Sequence, residues 1–357
     1  MDESNSCAPL SVINLNTSVL SYDADQLDSQ SYGPATVWDA GELPGNKSTS
    51  AMADVIGAGE GIHGKDYYVG QLDPAGDTDD QLCTAKTVTS LGGTGGLCPE
   101  GPRLQGSYRL PGLAYYAHIK DIRPDNATGN RGLKGVQKLD TYSVAMASAL
   151  PYLEITHPLS KEKAVKILPA CRNTSLNPAG NCTIVDFKIV EQVPDDGTGR
   201  GRGKVYINWE DSEQGGDFDQ DMWGTLLYEI NGNTDTIRVT TQVHAESTGY
   251  AMGFGYVISG TDHDGFHVHS GINGFRFDEQ ADSGDDCADA DGCLCNDPDG
   301  ACTIDEASTK TYRLGNSRAE LLKDPLWYAS KWGGFIDQND NGLPDKVEEW
   351  DKQINAT

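Results

Sequence analysis

The sequence predicts a mixed α+β fold: a partial α/β unit interrupted by an inserted antiparallel β-sandwich. Residues 1–156 read strand, helix, strand in that order, which is the signature of a parallel α/β sheet. Residues 157–315 change texture to β-branched apolar runs broken by Gly, Asn and Asp turns, the pattern of an antiparallel sandwich. Residues 316–357 return to helix and are expected to pack back on residues 1–156. A chain of 357 residues is long enough for two or so domains and a sizeable core.

Along the chain, residues 8–20 (P-L-S-V-I-N-L-N-T-S-V-L-S) form a short run of buried-strand character. A Gly/Asp/Ser-rich tract follows, with a possible helix near Ala51–Ile56, and residues 65–105 read as loop-rich, held by the Cys83 and Cys98 pair. The next helix is expected over Leu110–Ile122, with Pro111 in its first turn and Leu113, Tyr116 and Ala117 on one face. R-P-D-N stops it, and a strand is expected over Thr141–Ala147. In the second segment, strands are expected over Ala164–Leu168, Thr183–Gln192, Lys204–Trp209, Thr225–Ile230, Thr236–His244 and Tyr250–Ser259. Residues 278–306 read as an acidic, cysteine-stapled loop. A final helix is expected over Asn316–Trp332, capped by Asn316, with Pro325 kinking or restarting it.

Aspartate and glutamate outnumber lysine and arginine 54 to 27, for a net charge of −27. So negative a chain repels nucleic acid and anionic lipid and favours cations and basic surfaces. No apolar run approaches the roughly 20 residues that span a bilayer, so no membrane insertion is expected. Of the nine cysteines, Cys83 with Cys98 and Cys171 with Cys182 close short loops, while Cys287, Cys293, Cys295 and Cys302 crowd together. Zinc competes for that last group, but its spacing lacks a repeated C-x-x-C, and disulfides in an oxidising compartment are the preferred reading. Connectivity within the last four stays open. Cys7 is the odd thiol out. The opening M-D-E-S-N-S-C-A-P-L has no export leader, so the expectation is a piece of a longer secreted protein with a start methionine added.

The stretch D-Q-N-D-N-G-L-P-D-K-V-E carries the most specific chemistry. It sets oxygen ligands at loop positions 1, 3, 5, 9 and 12 (Asp337, Asn339, Asn341, Asp345, Glu348), with Gly342 at position 6 and the Leu343 carbonyl at 7. That order is the ligand set of a twelve-residue Ca2+ loop, in which a hard cation gathers six to eight oxygens. The alternative is an acidic surface turn. A second metal site is considered within W-E-D-S-E-Q-G-G-D-F-D-Q-D-M-W, from Glu213, Asp217, Asp219 and Asp221 with Asp211 near, against the alternative of a solvated acidic turn. The acidic cysteine loop offers Asp289, Asp291, Asp297, Asp299 and Asp305 for another ion. His244, His267 and His269 could serve a transition metal but lack a complete ligand set, and ordinary polar roles are the preferred reading. Catalytic signatures are missing: there is no G-x-S-x-G elbow, no H-E-x-x-H helix and no phosphate-cradling loop, and G-A-G-E-G at 57–61 is a flexible turn.

Four phrases carry a resemblance. C-P-E-G-P-R-L-Q-G-S-Y-R-L-P-G-L-A-Y-Y-A-H-I-K-D-I-R-P-D, Q-D-M-W-G-T-L-L-Y, A-M-G-F-G-Y-V-I-S-G-T-D-H-D-G-F-H-V-H-S-G-I-N-G-F and K-D-P-L-W-Y-A-S-K-W-G-G-F-I-D resemble the type IV pilus PilC/PilY family over almost the whole chain. That resemblance implies an exported, calcium-responsive, tip-associated adhesin and biogenesis factor. It also implies a von Willebrand factor A-like unit, here in part, ahead of a C-terminal propeller that this chain does not reach. The family's D-x-S-x-S adhesion motif is absent, since Asp28–Tyr32 (D-S-Q-S-Y) does not fit it. Metal-dependent adhesion through that motif is therefore not carried over.

The expectation is a secreted, non-enzymatic, calcium-binding surface protein of the pilus tip, acting in adhesion and pilus biogenesis. Its expected partners are pilus subunits or minor pilins and a host, mineral or other extracellular ligand. The alternatives are a self-assembling filament or sheath subunit and a secreted calcium-dependent carbohydrate hydrolase, since paired carboxylates abound.

Overall fold

The structure is a computed structural model that describes residues 10–16, 43, 47–70, 72, 84–95, 107–122, 136–145, 151–173, 182–211, 220–275, 302–315 and 319–351. In chain order its elements are β1 (Leu10–Asn16), α1 (Thr49–Gly59), β2 (Lys65–Val69), β3 (Thr84–Val88), α2 (Arg109–Ile119), β4 (Leu139–Ala145) and β5 (Leu153–Thr156). Then follow β6 (Lys163–Asn173), β7 (Thr183–Val193), β8 (Arg200–Glu210), β9 (Met222–Asn231), β10 (Thr236–Glu246), β11 (Met252–Ser259) and β12 (Gly265–Ile272). The last are β13 (Ala307–Arg313), β14 (Glu320–Leu321), α3 (Pro325–Gly333) and α4 (Val347–Trp350). The described residues of this mixed fold are therefore mostly strand, with few helices.

The expected sandwich is present. A five-stranded sheet, β13-β10-β9-β8-β7, faces a four-stranded sheet, β12-β11-β6-β5, and every pairing in both is antiparallel. Period-two alternation sends Val205, Ile207 and Trp209 of β8 and Ile237, Val239 and Val243 of β10 into one core, against Val165, Ile167, Phe254, Tyr256 and Ile258 of the facing sheet. The Cys171–Cys182 disulfide, with Cα atoms 5.9 Å apart, staples the end of β6 to the start of β7 and so joins the two sheets. Sequence reading did not assign β5 or β13. β13 (A-S-T-K-T-Y-R) has alternating burial, but its inward residues are Ser308, Lys310 and Tyr312, so hydrophobicity alone does not reveal it.

The parallel pair expected at the start is also present: β1 runs alongside β4 in register from Leu10↔Leu139 to Asn16↔Ala145. The buried character expected of residues 8–20 is not. Ile13 and Leu15 are 64% and 70% exposed, and their register partners Tyr142 and Val144 are 48% and 46% exposed. The opposite face is the covered one: Thr141 lies so close to Gly333 of α3 that a Cβ there would come within 2.9 Å of the Thr141 Cβ. Residues 65–105, expected to be loop-rich, also contain the short antiparallel pair β2–β3, with β14 added parallel to β2. K-D-Y-Y-V and T-A-K-T-V are too short and too polar to stand out as strands.

α1 and α2 lie where helices were expected. In α2, however, Leu113 is exposed, and the buried face runs through Ala114, Tyr115, Tyr116, Ala117 and His118. The helix expected from Asn316 starts only at Pro325. Asp324 caps it, its carboxylate accepting the Leu326 N–H at 2.6 Å, and Glu320–Leu321 form strand instead. A proline fits the first turn, where its missing N–H costs nothing, and forces the residue before it to be extended. Asn316 lies outside the described residues.

The helices and β2 enclose an aromatic core of Tyr67, Tyr108, Tyr115, Tyr116, Tyr328, Trp332 and Phe335 with Met52, Ile56 and Leu91. A third cluster sets Tyr68 of β2 against Leu168, Val257, Phe266 and Val268 of the sandwich, with Leu321 packed on it.

Candidate metal centre

The Asp337–Glu348 stretch leaves α3 and Phe335, both rooted in the aromatic core, and folds into a tight loop. Asp337 organises it. Its Oδ1 accepts the backbone N–H groups of Asn339 and Asn341, each at 3.2 Å, and its Oδ2 accepts that of Gly342 at 2.7 Å. These bonds need left-handed backbone at two places, supplied by Asp340 (φ 58°) and Gly342 (φ 75°), residue types that tolerate it. Desolvation pushes the Asp337 carboxyl up. The converging N–H groups of Gly342, Asn339, Asn341 and Asp340 outweigh it and hold the pKa below the ordinary aspartate value.

Asp345 closes the loop from the other side. Its two oxygens accept the side-chain amides of Asn339 (3.3 Å) and Asn341 (2.8 Å), while Asn341 Oδ1 accepts the Leu343 N–H at 2.8 Å. Asp337, Asn339, Asn341 and Asp345 are thus brought together. The Leu343 side chain packs on the aromatic core, and Tyr115 donates its hydroxyl to the Gly342 carbonyl at 2.9 Å. Glu348 is exposed on α4.

Sequence reading missed Glu349, which is 1% exposed. Its Oε1 accepts the Gln338 N–H at 3.0 Å, its Oε2 the Lys346 N–H at 3.1 Å, and its carbonyl the Ile336 N–H at 2.8 Å. It is the third residue of α4 and supplies only the glutamate half of a capping box, since the Lys346 ammonium at the N-cap has no acceptor to offer and the Glu349 N–H bonds the Lys346 carbonyl instead. The glutamate half of that box was visible in the sequence, but a lysine at the cap hides it from a search for Ser or Thr.

Among the described residues no three His, Cys, Asp or Glu side chains converge on one point. The loop instead gathers two carboxylates and two side-chain amides, whose oxygens are of the hard type that Ca2+ prefers, with the amide nitrogens here turned to Asp345. The residues present fit such an ion.

The other candidates fare differently. Glu213, Asp217 and Asp219 lie outside the described residues. Asp221 is buried and structural: its Oδ2 accepts the Asp211 N–H at 2.8 Å, and its backbone pairs with Trp209 and Ser247, closing the β8–β9 connection. Asp289, Asp291, Asp297 and Asp299 are outside as well, whereas the Asp305 carbonyl accepts from Gln242 and its carboxylate lies 3.7 Å from His244.

The histidines are held separately. His269 is buried between the sheets, bonded to Tyr256 Oη (2.8 Å) and Thr241 Oγ1 (3.3 Å). Burial and the neighbouring His267 and Lys310 push its pKa down to about 3, so it stays neutral. His267 bonds the His263 carbonyl, and His244 bonds Thr225.

Cys302 is disulfide-bonded to a cysteine outside the described residues, where Cys7, Cys83, Cys98, Cys287, Cys293 and Cys295 also lie. Among the described residues no helix is long and apolar enough to cross a membrane.

Comparison with known proteins gives three findings. The family model for the second domain of PilY1 homologues matches residues 1–117. The model for the β-sandwich of PilY1 homologues matches residues 161–283. The type IV pilus biogenesis factor PilY1 homolog of Xylella fastidiosa is 29% identical over 334 residues, covering 84% of this chain and 22% of that protein. The chain thus spans less than a quarter of that relative's length. No solved structure matches.

Proposed function

This chain belongs to the PilY1 family, and from that premise we propose that it is an exported, calcium-binding part of a type IV pilus-tip protein acting in adhesion and pilus biogenesis. The observation that carries the calcium reading is the convergence of Asp337, Asn339, Asn341 and Asp345 on a loop anchored to the aromatic core. When bound, calcium supplies a hard positive centre between like charges. Asp337 and Asp345 contribute the charge, Asn339, Asn341 and the Leu343 carbonyl neutral oxygens, and Glu348 the carboxylate expected at the twelfth position. Export is supported by the inter-sheet disulfide, a bond that persists in oxidising compartments.

The partners we assign are pilus subunits or minor pilins on one side and an extracellular or host surface on the other. We read β1, β4, α2 and α3 as part of a von Willebrand A-like unit. The chain acts by binding rather than catalysis.

Calcium titration followed by thermal melting tests this reading. An ion that binds only the folded state stabilises it by about 2.7 kcal/mol at a hundredfold excess over its Kd. An unchanged Tm in millimolar calcium, with Asp337→Ala melting as wild type does, rejects it. Thiol counting by mass spectrometry tests export: one free cysteine is expected, at Cys7, and nine reduced cysteines would overturn it.

A further inference from the structure

We propose that Glu349, one residue beyond the twelfth loop position, is the positioning residue of the ion loop and couples its occupancy to the junction between α3 and α1. The inference rests on the calcium reading of the same loop and adds to it a residue outside the ligand order.

The geometry is specific. Glu349 clamps two amides, those of Gln338 and Lys346, and these residues immediately follow Asp337 and Asp345, the two acidic members of the ring. One carboxylate therefore fixes the separation of the two segments that bear the loop's own carboxylates. Without it, mutual repulsion between Asp337 and Asp345 favours an open loop. Ligands held in place by a neighbouring shell bind an ion without first being ordered.

A buried carboxylate is costly unless it is bonded, and in a chain of net charge −27 it adds to an already unfavourable field. Among the described residues no cation pairs with Glu349, and its two oxygens rest on the two N–H groups. A plain N-terminal cap on a helix of four residues does not need such burial.

The next residue carries the coupling. The Trp350 ring centre lies 4.4 Å from Lys331 Nζ and 5.6 Å from the Trp327 ring. Lys331 Nζ in turn reaches Glu60 Oε1 at 2.7 Å, just past the end of α1, and Trp332 Nε1 donates to the same oxygen at 2.7 Å. Loop, α4, α3 and α1 are thus joined through consecutive contacts, and closing the loop seats Trp350 on Lys331.

The test uses the full chain with Tb3+ as the luminescent probe of the loop and Ca2+ as its competitor. Glu349→Ala is expected to weaken Tb3+ binding about ten- to a hundredfold, the usual effect of losing a residue that holds the ion's ligands in place. It should also abolish the ion-induced change in tryptophan emission. Glu349→Gln, which retains one acceptor oxygen, should fall between Ala and wild type. Amide exchange at Gln338 and Lys346 in the wild type should slow on ion binding.

A structural role alone would lower Tm in both variants while leaving ion affinity and the emission change intact, and that result overturns the proposal. Wild type that binds Tb3+ tightly while Glu349→Ala binds equally well overturns it too, but spares the calcium reading. Wild type that takes up neither Tb3+ nor Ca2+ sinks both.

Discussion

The sandwich and the helical unit beside it solve the same problem in opposite ways. The sandwich core comes from one continuous stretch, Leu153 to Tyr312, in which each strand alternates in and out and pairs with neighbours mostly close in sequence. The aromatic core joins residues from Leu43 to Tyr116 with residues from Tyr328 to Phe335 and closes only when the two ends of the chain meet. Among the polar ties that close it are Lys331 and Trp332 to Glu60 and Tyr115 to Gly342. Local pattern is enough for the first, whereas the second hangs on long-range closure. They should therefore respond to different insults.

The largest separation is expected from Trp332→Ala. Trp332 is buried, stacks edge-on against Tyr115 at 5.0 Å and donates to Glu60, so truncation should cost about 3–5 kcal/mol. Calorimetry should show the helical transition falling away from that of the sandwich. Equal shifts of both would mean that the third cluster, around Tyr68 and Phe266, fuses them into one cooperative body.

The reverse experiment is Cys171→Ser with Cys182→Ser. That bond closes a span of 11 residues, and its loss should cost about 3 kcal/mol on loop-closure grounds, borne by the sandwich alone. Loss of protection in the helices would contradict the division.

Acid should discriminate next. His269 has a folded pKa of about 3 against an unfolded value of 6.5, so the unfolded chain binds more protons between those values. Stability from this group is complete above pH 6.5 and is lost as pH falls towards 3, amounting to about 2 kcal/mol by pH 5. His269→Gln should flatten that slope in the sandwich transition, as read by denaturant melts across pH. A slope that persists unchanged would assign the acid sensitivity to other groups.

The smallest expected effect is that of Tyr115→Phe, which removes one hydrogen bond to the Gly342 carbonyl. It should cost about 1 kcal/mol, confined to the helical unit and its loop. A melt of the sandwich that moves equally would contradict that confinement.

What the sequence disclosed follows the same divide. T-I-R-V-T-T-Q-V-H and its neighbours announce strands because one face is apolar and the other polar. β13 escaped notice since the residues it turns inward, Ser308, Lys310 and Tyr312, are polar, and Tyr312 joins a network with Tyr256 and His269. Leu113 misled through its hydrophobicity: α2 buries its tyrosines, and the leucine is left outside. The loop itself was visible because spacing and a glycine are local properties. Glu349 was not, because its partners, Gln338 and Lys346, are fixed by a turn that only the folded chain reveals. Of Glu213, Asp217, Asp219 and Asp221, only Asp221 is among the described residues, and it holds a strand connection together.

The uncovered side of the β1–β4 ribbon has a practical corollary. Ile13, Leu15, Tyr142 and Val144 form an oily stripe that water tolerates poorly, and oily stripes on paired strands are sticky. The hydrodynamic size of the purified chain should therefore grow with concentration, and a lysine in place of Leu15 should keep it small.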